Sequence, residues 1–125
     1  QFAAALWEQR TGRPADSAGA SPAPRVHPSA VRVAHEFGVD LSGARPKGYA
    51  DVRSAPAVIV SVCDRAYEAG WPFDAPAIHW SVPDPSRLDT DVAFATAVAD
   101  LNDRVSHLAP RIRYRRHLPT RKASR

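Results

Sequence analysis

The chain is poor in the residues from which most site signatures are built. It has one cysteine and no methionine in 125 residues. One cysteine excludes an intrachain disulfide and any zinc site made of several thiolates. No apolar run approaches the roughly 20 residues that a membrane-spanning helix needs. The start lacks a basic segment followed by an apolar one, so no signal peptide is expected. The sequence holds no Gly-rich phosphate loop, no G-x-S-x-G and no H-E-x-x-H. Lysine is nearly absent, with Lys47 and Lys122 against 15 arginines, a ratio that fits GC-rich coding and carries no functional meaning. Because the chain opens on Gln1 and has no Met, we expect a piece of a longer reading frame. A reducing, cytoplasmic setting suits a lone thiol.

What is present suffices for one folded domain. Apolar residues make up 44% and charged residues 24%, a balance that forms a core. The net charge of +4 is unevenly placed. Residues 1–110 carry 10 Lys+Arg against 13 Asp+Glu, while residues 111–125 carry 7 basic residues and no acid. The sequence therefore reads as a domain over 1–110 and a basic tail over 111–125. A basic tail suits nucleic acid or an acidic surface, but the ordinary reading is a solvated, disordered extension. No membrane association is expected of the domain.

Periodicity predicts helices over 1–11, with Phe2, Ala3, Leu6 and Trp7 on one stripe, and from Pro28 to Gly38, carrying Val31, Ala34 and Phe37. A long helix is predicted over 90–108, with Phe94, Val98, Leu101, Val105 and Leu108 inward. Short helices are expected near 49–52 and 64–70. Strands are expected over 15–19, over 57–63 (AVIVSVC) and over 77–82 (AIHWSV). The β-branched run at 57–63 reads as a strand buried on both faces. The alternation argues for an α/β fold, a small parallel sheet flanked by helices. In such folds, ligands bind at the carboxyl ends of strands.

Two residues fall there. Asp84 lies between Pro83 and Pro85, which stiffen the backbone around its carboxylate. It is a proton donor or a turn cap. Cys63 ends the buried strand, with Asp64 and Arg65 next to it. It is a nucleophile or redox thiol, or a small core residue. His27, His35, His79, His107 and His117 show no metal spacing; His79-Trp80 is expected to pack at its strand end. No cofactor and no metal are expected.

Four stretches together resemble the low-molecular-weight protein-tyrosine phosphatase superfamily, and within it the thioredoxin-coupled arsenate reductases. They are SAG at 17–19, VHPSAVRVAHEFGVDLS at 26–42, VIVSVCD at 58–64 and HWSVPDP at 79–85. Their order and spacing agree over roughly residues 1–109. The resemblance implies a four-stranded parallel sheet whose first strand leads into a Cys-x5-Arg anion loop and then a helix. That helix matches residues 1–11, so the first strand and the loop would lie before Gln1, outside this sequence. It also implies that Asp84 is the general acid and Cys63 a resolving thiol. A third relay cysteine would fall where this chain has Gly70, so the three-cysteine relay is incomplete.

The implied partners are an oxyanion substrate, arsenate or a phosphate ester, and an external thiol or thioredoxin-type reductant. Without the interior first strand, its neighbours would lack pairing on one side, and an unpaired buried edge is costly. The expected activity is thiol-based oxyanion chemistry, absent from these 125 residues alone. The alternative is a non-catalytic oxyanion-sensing or interaction domain of a larger regulator, possibly a DNA-binding one.

Overall fold

The computed structural model describes residues 1–19, 23, 25–52 and 54–112. Most of the basic tail, from residue 113 on, lies outside these residues.

Helix α1 spans Phe2–Thr11 and α2 spans Pro28–Glu36. Strand β1 (Ile59–Ser61), helix α3 (Asp64–Ala69) and strand β2 (Ala77–His79) follow, then helix α4 (Asp91–Leu108). Single 3-10 turns sit at Tyr49–Asp51, Pro85–Arg87 and Ala109–Arg111. The last of these carries the chain through Pro110. The fold is α/β, with a small parallel sheet and helices around it, as expected.

Three helix boundaries have a clear local cause. Gly12 ends α1 in the left-handed region, at φ 69°, and its N–H donates to the Glu8 carbonyl at 2.9 Å. A side chain there would be strained. His27 caps α2, its Nδ1 accepting the Ser29 N–H at 3.1 Å, and Pro28 supplies a preset φ in the first turn. Thr90 caps α4, its Oγ1 accepting the Ala93 N–H at 3.1 Å.

Helix α4 is the centre of the core and packs against both α1 and α2. Its Phe94, Val98, Leu101 and Val105 are buried, with Leu108 beside them, as the periodicity predicts. They meet Leu6 from α1, Ala30, Val33 and Ala34 from α2, Val39 and Leu41 after it, and Trp80 after β2. Helix α2 turns a different stripe inward from the one expected. Val33 is buried, while Phe37, just past the helix end, is 38% exposed. A nine-residue helix offers two overlapping stripes, and the compact one of Ala30, Val33 and Ala34 lets α4 approach closely.

The sheet is smaller than the sequence suggests. Strands β1 and β2 pair in parallel, Ile59 with Ala77, Val60 with Ile78 and Ser61 with His79. This is the one ladder among the described residues. Residues 15–19 are not a strand. They are tied to the rest of the fold by the Ala15 N–H on Glu8 Oε1 at 3.0 Å, the Gly19 N–H on the Lys47 carbonyl at 3.0 Å and an ion pair between Asp16 and Lys47. A strand exists only where a neighbour completes its hydrogen bonds, and this segment has none alongside. The run at 57–63 shrinks to three residues for the same reason. Ile59 and Val60 are half-buried rather than covered on both faces.

Candidate functional site

The carboxyl ends of β1 and β2 lie side by side. Pairing continues past the strands proper, with the Trp80 N–H donating to the Ser61 carbonyl at 2.7 Å and the Val82 N–H to the Val62 carbonyl at 2.9 Å. Cys63 therefore leaves the sheet one residue after this last bond. Asp84 leaves the same end two residues after it.

Cys63 is the N-cap residue of α3, in extended backbone at φ −122° and ψ 134°. It is free and half-buried. Its carbonyl accepts the Tyr67 N–H at 3.1 Å, the first bond of the helix. Arg65 is exposed on α3.

Asp84 is exposed. Its Oδ1 accepts both the Ser86 N–H, at 2.9 Å, and the Ser86 hydroxyl, at 2.7 Å. It thereby caps the 3-10 turn Pro85–Arg87. The turn-cap reading of Asp84 is thus realised, and both recorded bonds fall on one carboxylate oxygen. The structure brings Cys63 and Asp84 to one end of the sheet but records no interaction between them.

At this end of the sheet lies a polar cluster that sequence reasoning missed. His79, in register with Ser61, bridges the two strand ends. The Ser61 Oγ is 2.6 Å from His79 Nδ1, and His79 Nε2 is 2.8 Å from Asp64 Oδ1. The Ser81 hydroxyl also donates to Asp64 Oδ1 at 2.8 Å. Tyr67 stacks on the imidazole, ring centroids 4.3 Å apart and planes 20° apart. Hydrogen bonds from Ser81 first, then His79, hold the Asp64 carboxyl below the usual carboxylate range.

Asp64 is therefore an anion at neutral pH and can only accept. Nε2 must carry the proton that reaches it, so in the neutral ring Nδ1 is the acceptor and the buried Ser61 hydroxyl donates. One tautomer satisfies every group. The signal in the sequence was the single polar residue inside the apolar run, Ser61 in AVIVSVC, which needs a buried partner.

A second polar cluster joins the starts of α2 and α4. His27 Nε2 lies 2.7 Å from Asp89 Oδ1, and Arg32 pairs with Asp91 at 3.1 Å. Asp89 has a positive φ of 51°. Among the described residues no group of His, Cys, Asp and Glu could hold a metal ion, and no helix is long and apolar enough to cross a membrane.

No protein-family model matches the sequence, and no curated protein matches it. Solved structures do. An arsenate reductase from Archaeoglobus fulgidus is 25% identical, with a TM-score of 0.70 over 87% of this chain and 88% of that one. An arsenate reductase in the oxidized state is 22% identical, with a TM-score of 0.76 over 90% of this chain and 88% of that one. The chain has the arsenate reductase fold. An arsenate reductase in a phosphate-binding state, 24% identical, superposes with a TM-score of 0.70 over the same shares. The sequence resemblance and the fold thus point the same way, to the fold shared with the low-molecular-weight phosphatases.

Proposed function

We propose that this chain is an arsenate reductase-like domain that handles tetrahedral oxyanions by thiol chemistry. The observation that carries the reading is the match of nine-tenths of the chain to the arsenate reductase fold, with Cys63 and Asp84 leaving the same end of its parallel sheet. The oxyanion ligand follows from the relative solved in a phosphate-binding state.

In this reading Cys63 is the resolving thiol. Its thiolate attacks the sulfur of a first thiol that carries the arsenate. The S–S bond forms, the S–As bond breaks, and its electron pair passes to arsenic, taking As(V) to As(III). An external thiol or a thioredoxin-type reductant then reopens the disulfide. Asp84 protonates the departing oxygen of arsenate or of a phosphate ester. A reducing, cytoplasmic setting keeps Cys63 as a thiol.

Cys63 is the single cysteine of the sequence, and no Cys-x5-Arg occurs in it. We expect no turnover from these 125 residues alone. The check is an assay with p-nitrophenyl phosphate and with arsenate plus thiols; rates above those of a Cys63→Ser, Asp84→Asn double variant would contradict it. In a longer protein that carries a Cys-x5-Arg loop ahead of Gln1, Asp84→Asn is expected to lower kcat by about 100-fold. An unchanged kcat there would remove Asp84 from the chemistry.

A further inference from the structure

One imidazole touches three residues that bracket Cys63. Ser61, two positions before it, meets His79 Nδ1 at 2.6 Å; Asp64, the next residue, meets Nε2 at 2.8 Å; and Tyr67, four positions after it, stacks on the ring. The backbone of Cys63 is thus held from both sides by a side chain of the neighbouring strand. We propose that His79 is a positioning residue for the Cys63 thiol: it sets how far the β1–α3 junction opens. The inference rests on the thiol reading above and adds the control of that thiol.

The ionisable groups recorded on the ring are Asp64 and Tyr67, both from α3; Ser61 is the contact from β1, and Ser81, after β2, reaches Asp64 rather than the ring.

The chain has one cysteine, so alkylation by iodoacetamide, followed by mass, reads Cys63 alone. The sulfur takes the acetamide carbon and iodide leaves, with no oxyanion or second thiol required. A failure here is therefore separate from a failure of turnover.

His79→Phe keeps the stack on Tyr67 and removes both hydrogen bonds. Loss of both tethers loosens the junction, so the alkylation rate should rise about tenfold. His79→Gln keeps a donor toward Asp64; its rate should stay within about threefold of the natural chain. A folded His79→Phe that alkylates at the natural rate overturns the proposal, as does a His79→Gln that alkylates as fast as His79→Phe. Should His79→Phe not fold by circular dichroism, Ser61→Ala, which removes one of the two tethers, decides the matter: a faster rate supports the proposal and the natural rate overturns it.

Discussion

Asp84 illustrates how one carboxylate can hold two jobs that a substitution separates. Its cap uses Oδ1 as an acceptor toward Ser86, and an asparagine oxygen accepts equally well. Asp84→Asn should therefore leave the melting temperature unchanged, while Asp84→Ala should cost about 1 kcal/mol, as for a lost cap. Denaturant titration of both variants checks this. The residue was legible as a candidate because two prolines frame it; which job it does was not, since spacing cannot say where a carboxylate oxygen points. His79 was illegible for another reason. Its partners Ser61 and Asp64 become neighbours only once the register of β1 on β2 is fixed, and a shift of one residue would turn His79 to the other face.

Among the elements, α4 is the one on which the others depend. Val98 is fully buried at its middle. Val98→Ala removes two methyl groups and leaves a cavity, so unfolding free energy should fall by about 2 kcal/mol. Thr90→Ala should cost about 1 kcal/mol by exposing the first turn. Both are read from denaturant midpoints at constant slope. The helices were legible because a 3.6-residue period is written within each segment. The strands were not, because a strand is defined by its neighbour. Residues 15–19 look like one and join no ladder among the described residues, and the AVIVSVC run keeps as strand only Ile59–Ser61.

For the whole molecule, acid is the informative stress. The carboxyls of Asp40, Asp64 and Asp91 are all held below the usual carboxylate range: Asp40 chiefly by Ser42, Asp64 chiefly by Ser81, and Asp91 chiefly by Arg32. A carboxyl whose folded pKa is depressed adds stability above its unfolded pKa, and that stability is lost as pH falls through the folded value. Thermal midpoints should therefore be level through neutral pH and drop below the ordinary carboxylate range. Asp64→Asn should flatten part of that drop. All three groups are exposed, so added salt should shrink the effect of the Arg32–Asp91 pair most.

The placement of α4 also has a consequence for how the chain is born. Leu6, Val33 and Ala34 have apolar partners on α4, and Arg10 reaches forward to Asn102 at 3.0 Å. During synthesis α1 and α2 emerge early and wait, their inner faces wet, until residue 105 has cleared the ribosome. Translation at about 5–20 residues per second makes that wait a matter of seconds. Through that interval the nascent chain presents the surface that holdase chaperones and neighbouring nascent chains compete for, and the yield of folded protein depends on how soon α4 arrives.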